Sequence, residues 1–175
     1  EAVCMVSTYM SAYQSIRMVT TKDEFSLENK TILITGPDEP VGKALIQLCK
    51  RANADKIYVT ATEHKHKLFA TIHGVKTLPA DPEKWLKDVE GDIDVAFDVA
   101  CDDEHASPAK ALKEDGQLIC VGMSSYLRKE QQGIFGASLS AHWLEFKRRN
   151  LMSRTRCYNL WESFRKDKEA FKLDL

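Results

Sequence analysis

Short apolar runs rich in β-branched residues alternate along this chain with stretches whose apolar residues recur at helical spacing. Ala2 to Val19 carries Val3, Val6, Met10, Tyr13 and Ile16 on one helical stripe, and Thr20 to Asn29 is a charged connection. Thr31 to Thr35 (TILIT) reads as a strand. It is followed by the turn GPDEP and a helix to about Ala52 with Val41, Ala44, Leu45 and Leu48 on its apolar face. Lys56 to Ala61 predicts a second strand, and Glu63 to His73 a helix closed by Gly74. Val75 to Leu78 predicts a third strand, and Glu83 to Val89 a short helix with Trp85 and Leu86 inward. Ile93 to Val99 (IDVAFDV) is apolar enough for a strand buried on both faces. Glu104 to Lys113 predicts a helix, Asp115-Gly116 a turn, and Gln117 to Val121 a fifth strand closed by Gly122. Ser124 to Gly136 is the least globular part. Ala137 to Arg149 reads as helical, Arg154 to Tyr158 as a sixth strand and Trp161 to Leu175 as a final charged helix.

Strand and helix in strict alternation imply parallel strands joined by right-handed crossovers. The expected fold is α/β, a Rossmann-type doubly wound, mostly parallel six-stranded sheet in the order 3-2-1-4-5-6 with helices on both faces. The expected organisation is an entry helix and connection over 1–29, a nucleotide-binding domain over 30–158, and a C-terminal helix over 159–175.

The stretch from Lys30 to Ala44 carries the chemistry. A strand, a glycine turn and a helix start together make an anion site, because free N–H groups and the helix dipole both favour phosphate. Gly36 and Gly42 support two readings: a dinucleotide turn, or a turn that keeps its fold and binds nothing. The second arises because Glu39 stands where a phosphate-approaching glycine is expected, Pro40 removes one N–H, and Asp38 adds negative charge. A P-loop is the weaker reading, because five residues separate the glycines and Ala44 stands in place of the magnesium-holding hydroxyl. At the tip of the second strand, Thr60-Ala61-Thr62 precedes Glu63, His64, Lys65, His66 and Lys67. Hydroxyls and cations there suit a ribose 2′-phosphate; the alternative is a solvated basic helix start.

Composition narrows the setting. The chain has 175 residues and a net charge of −1, so bulk attraction to nucleic acid or anionic lipid is not expected. No apolar run reaches the roughly 18 residues of a membrane span. The opening lacks a basic leader and does not read as a signal peptide. With no initiator Met, the chain is expected to be a piece of a longer one. Five scattered cysteines form no zinc-like cluster and read as buried thiols of a reducing, cytoplasmic compartment.

The order of these features resembles the cofactor-binding domain of the medium-chain dehydrogenase/reductase superfamily, in its quinone-reductase and vesicle-amine-transport-protein-like branch. The residues that carry the likeness are Ser11-Ala12-Tyr13, Ile34-Thr35-Gly36 through Val41-Gly42 with Ala44 and Ile46-Gln47-Leu48, Thr60-Ala61-Thr62 with Lys65-His66, Asp94-Val95 with Asp98, and Ala111-Leu112-Lys113 with Asp115-Gly116 and Val121-Gly122. The resemblance implies NADP as cofactor. It places Gly36, Pro40, Val41 and Gly42 at the pyrophosphate, Thr62 and Lys65 at the 2′-phosphate, and Val121 and Gly122 by the nicotinamide. It further implies zinc-independent hydride transfer to a quinone or α,β-unsaturated carbonyl, a catalytic barrel outside this chain, and pairing of two copies through the sixth strand.

Other candidates are weaker. Asp94 and Asp98 share a strand face at a spacing of four but are expected at opposite ends of the strand. Cys120 reads as strand packing rather than a nucleophile. His64, His66 and His73 read as surface residues rather than metal ligands. The basic cluster of Lys147, Arg148, Arg149, Arg154 and Arg156 reads as solvated surface.

Overall fold

A computed structural model describes residues 2–21, 24–103, 105–121, 154–166, 168 and 172. Its elements in order are α1 (Ala2–Arg17), β1 (Thr31–Thr35), α2 (Pro40–Arg51), β2 (Lys56–Ala61), α3 (Glu63–His73), β3 (Lys76–Pro79), α4 (Pro82–Val89), β4 (Ile93–Asp98), α5 (Ala106–Ala111), β5 (Leu112–Cys120), β6 (Thr155–Cys157) and α6 (Leu160–Lys166). The six strands form one parallel sheet in the order β3-β2-β1-β4-β5-β6, as the alternation predicts. The expected helix over Ala137 to Arg149, the stretch Ser124 to Gly136 and the cluster Lys147 to Arg149 lie outside the described residues.

Strand alternation sorts the core into two layers. Ile32 and Ile34 of β1, Val59 of β2 and Val95 and Phe97 of β4 point to one face, where Ala12 and Ile16 of α1, Leu45 and Cys49 of α2 and Phe69 of α3 cover them. Leu33 and Ala96 point to the other, under Trp85 and Val89 of α4 and Ala109 of α5. All five residues of β1 are buried because the strand is central and covered twice. The Gly74 cap falls where expected, and Asp81 adds one the sequence reading did not name. Asp81 accepts the Glu83 N–H at 3.1 Å to start α4, and Gly74 ends α3 in the left-handed region at φ +59.

One element departs from expectation. β5 begins at Leu112 rather than Gln117, and α5 spans only Ala106–Ala111. Ile93 pairs with Leu112 and Val95 with Gln117, so residues 113–116 lie opposite Asp94 alone. The expected Asp115-Gly116 turn is thus a bulge inside the strand. A Cβ on Gly116 would lie 2.8 Å from the Ile93 carbonyl oxygen, which is why the bulge carries glycine. Asp94 fills the gap: it accepts the Thr31 N–H at 2.8 Å and the Lys113 ammonium at 2.9 Å. Burial pushes its carboxyl up, but the Thr31 N–H and the Lys113 and Lys30 charges outweigh that and hold it below the ordinary carboxylate value. Asp94 is therefore an anchor at the amino end of the sheet, and Asp98 marks the other end, as expected.

Candidate functional site

β1 is followed by Gly36, whose φ of +63 turns the chain sharply toward α2. A Cβ at Gly36 would lie 2.9 Å from the Ala100 backbone nitrogen. One at Gly42 would lie 2.2 Å from the Gly36 carbonyl oxygen and 2.9 Å from Pro37 Cα. Gly36 makes the bend, and Gly42 lets α2 pack onto it. Glu39 is the N-cap residue, extended at φ −66 and ψ 148, and its exposed side chain caps nothing. Pro40 opens the helix. Lys43 makes the first α2 bond back to the Glu39 carbonyl at 3.0 Å, leaving the Val41 and Gly42 N–H groups at the helix mouth. Four expected residues, Gly36, Pro40, Val41 and Gly42, therefore meet in one turn.

Thr62 is the exposed N-cap of α3, with no capping bond from its hydroxyl. Lys65 is on the first turn of α3, and its ammonium lies 2.9 Å from Asp38 of the glycine turn. The turn and α3 are thus bridged at the tips of β1 and β2, and the cation expected at a 2′-phosphate already has a carboxylate partner. His66 Nε2 lies 2.8 Å from the Ala61 carbonyl oxygen, which occupies that ring in local structure. Among the described residues no group of three His, Cys, Asp or Glu side chains is placed to hold a metal. Val121 follows β5, its N–H donating to the Asp98 carbonyl at 2.9 Å. Gly122 lies outside the described residues. Tyr13 stacks on Phe25 with centroids 4.9 Å apart, as a packing residue does.

A small open cleft lies at the carboxyl ends of the strands. It is lined by Thr35, Thr60, Ala80, Asp98, Ala100, Asp102 and Asp103, with Pro82 and Trp85 of α4 and Ser107 and Pro108 of α5. None of the residues expected at a cofactor lines it. It adjoins the glycine turn through Thr35 and through Ala100, which Gly36 abuts. This is the side of a doubly wound sheet on which ligands lie.

A buried network the sequence reading missed stands behind the cleft. Asp98 Oδ1 accepts the Thr35 hydroxyl and the Cys101 N–H, the latter at 2.9 Å. Asp98 Oδ2 lies 2.5 Å from His105 Nδ1, and His105 Nε2 lies 3.4 Å from Cys101 Sγ. The Thr35 hydroxyl oxygen accepts the Val99 and Ala100 N–H groups at 3.1 and 3.2 Å, tying the tips of β1 and β4 together. Burial opposes charge on His105, but its bonds to Asp98 and Cys101 win and raise it to about 9. The one available signal was the run Asp98, Cys101, His105, a carboxylate, a thiol and an imidazole spaced within one loop.

The sequence profile of the zinc-binding dehydrogenase family matches residues 40–171. The chain belongs to that family. Its fold is that of the cofactor-binding domain of medium-chain dehydrogenases/reductases, whose cofactor is a nicotinamide dinucleotide. Among solved structures this dehydrogenase domain is similar to CurK enoyl reductase, at 15% identity and TM-score 0.68, covering 95% of this chain and 46% of that one. It is similar to the quinone oxidoreductase from Coxiella burnetii at 19% identity and TM-score 0.58, covering 95% and 47%. It also resembles a cinnamyl alcohol dehydrogenase from Sorghum bicolor at 14% identity and TM-score 0.56, covering 65% and 31%. These likenesses carry the fold, and the domain spans less than half the length of each of the three. Comparison with curated protein sequences gives no significant match. Among the described residues no helix is long and apolar enough to cross a membrane.

Proposed function

We propose that this domain is the NADP(H)-binding part of a zinc-independent, quinone-reductase-like oxidoreductase and is catalytically incomplete by itself. The observation that supports the reading best is the turn. Gly36 bends under Ala100 and Gly42 seats α2 on the bend, which leaves the Val41 and Gly42 N–H groups facing the space where a pyrophosphate would lie. In this reading Gly36, Pro40, Val41 and Gly42 hold the pyrophosphate, Thr62 and Lys65 the 2′-phosphate, and Val121 and Gly122 the nicotinamide end. The dinucleotide, when bound, supplies hydride for a quinone or an α,β-unsaturated carbonyl. This chain's residues supply grip and orientation, and a covering domain outside it supplies the substrate pocket. Pairing of two copies along β6 and a cytoplasmic location belong to the same proposal. The motifs that resemble the quinone-reductase branch support zinc independence.

The acidic turn weakens binding without closing the site. A carboxylate about 4 Å from a phosphate costs roughly 1 kcal/mol in water and about four times that at a protein surface. Glu39 points into solvent, so the lower figure applies. The Asp38–Lys65 pair is half exposed and contributes on the order of 0–1 kcal/mol, little against a 2′-phosphate dianion competing for the same ammonium. That pair also supports a second reading. With Lys65 neutralised and Glu39 at the mouth, the domain is a degenerate Rossmann module that binds no dinucleotide and serves as a structural or interaction unit.

Calorimetric titration with NADPH and NADH separates the two. The cofactor reading expects micromolar NADPH binding, preference over NADH, and about fivefold tighter binding in Glu39→Gly. Binding of neither dinucleotide by either protein leaves the degenerate module as the reading.

A further inference from the structure

We propose that Cys101 is a reactive thiol, served by His105 and Asp98, whose substrate class is a small hydroperoxide. The three side chains stand in the order carboxylate, imidazole, sulfur, with separations of 2.5 and 3.4 Å. In that order a carboxylate fixes the imidazole ring, and the ring's far nitrogen exchanges a proton with a sulfur nucleophile. Capping the loop after β4 does not require this arrangement. Asp98 Oδ1 alone accepts the Cys101 N–H and the Thr35 hydroxyl, and the histidine engages the other oxygen. Cys101 at φ +51 and His105 at φ +69 both occupy the left-handed region, where residues with side chains are uncommon. Backbone strain of this kind persists where the surroundings hold it, and here it brings thiol and ring together.

The chain contains its own comparison. Cys49 and Cys120 are as buried as Cys101, but they pack in the two apolar clusters, and burial pushes the Cys49 thiol far up. Cys101, Asp98 and His105 are exposed by only 0, 1 and 4%. Asp98 itself and the chain neighbours of Cys101, Ala100 and Asp102, line the cleft. The burial of the three side chains excludes a bulky reagent and confines the substrate class to molecules about the size of hydrogen peroxide.

The step balances within these groups. From the thiolate–imidazolium form, Sγ attacks the terminal oxygen of the hydroperoxide. The S–O bond forms and the O–O bond breaks. The proton on His105 Nε2 passes to the departing oxygen, which leaves as water or an alcohol. The sulfur is oxidised by two electrons to the sulfenic acid, and the peroxide is reduced by two. None of this requires a bound dinucleotide, so the proposal stands apart from the cofactor reading.

The test treats the folded protein with hydrogen peroxide at neutral pH, stops the reaction with catalase, unfolds the protein in urea containing dimedone, and quantifies each cysteine peptide by mass spectrometry. Cys101 is expected to label at least about tenfold faster than Cys49 and Cys120. In His105→Asn, with far-UV circular dichroism unchanged, the Cys101 rate falls by about tenfold or more while the half-buried Cys157 keeps its rate. Labelling of Cys101 no faster than Cys49 and Cys120 in the unsubstituted protein overturns the proposal, and so does a Cys101 rate that survives His105→Asn. If that variant fails to fold, the comparison among the cysteines of the unsubstituted protein decides alone.

Discussion

Replacing Gly42 with alanine sets two effects against each other, and the structure decides the sign. Helix propensity favours alanine over glycine by up to about 1 kcal/mol. Packing opposes it, because the new Cβ would stand 2.2 Å from the Gly36 carbonyl oxygen and 3.0 Å from its carbon. A carbon and a carbonyl oxygen in contact normally sit about 3.3 Å apart, so α2 must retreat from the turn by roughly 1 Å. Both partners are backbone, with no flexible side chain to yield. Overpacking of this kind costs about 1–3 kcal/mol, and the overlap here belongs at the upper end. The net expectation is a loss of about 2 kcal/mol, which in a chain of this size lowers the melting temperature by roughly 4–8 °C. Differential scanning calorimetry reads it, with Lys43→Ala as the exposed neighbour expected to change stability by no more than about 0.5 kcal/mol. A Gly42→Ala protein that melts at or above the original temperature would refute the packing argument, because propensity would then have won.

Two further outcomes follow from the buried charges. His105 is raised to about 9 in the fold against an ordinary value near 6.5. Its contribution to stability is fully present below about pH 6.5 and is lost as pH rises through 9; urea midpoints between pH 6 and 10 should fall across that window, and less so in His105→Asn. Asp94→Ala leaves the Thr31 N–H without its side-chain acceptor and Lys113 without its carboxylate, at a cost of about 1–3 kcal/mol, read as a lower urea midpoint with unchanged slope.

The parts of the fold legible in the sequence are those where one physical signal dominates. β1, β2 and α3 fall on the residues expected, because apolar runs of β-branched residues and a left-handed glycine cap are local statements. β5 starts at Leu112 and not at the expected Gln117: Lys113-Glu114-Asp115-Gly116 has the composition of a turn. Only pairing with β4 turns it into a bulge, and that pairing depends on Asp94 and the Ile93 carbonyl across the sheet. The glycine turn was legible in shape. Its electrostatics are legible only in part: the acidic Asp38 and Glu39 stand out in the sequence, whereas the Asp38–Lys65 bridge joins two elements that sequence spacing cannot bring together. The Asp98–His105–Cys101 chain escaped notice for a related reason. It depends on positive φ at two residues that give no sign of it in the one-letter code.

The central place of β1 has a consequence for how the domain comes to be folded. Its tip bonds to β4 across 63 residues of sequence, the Thr35 hydroxyl to the Asp98 carboxylate. At roughly 5–20 residues per second of synthesis, that partner emerges about 3–13 s after β1 does. For that interval TILIT, buried to its last residue in the finished sheet, has one of its two long edges without a strand. A short β-branched segment without charge or proline is the kind that pairs with the wrong neighbour. In a crowded nascent chain, the residues that make the middle of the sheet are therefore also those most in need of a chaperone's cover.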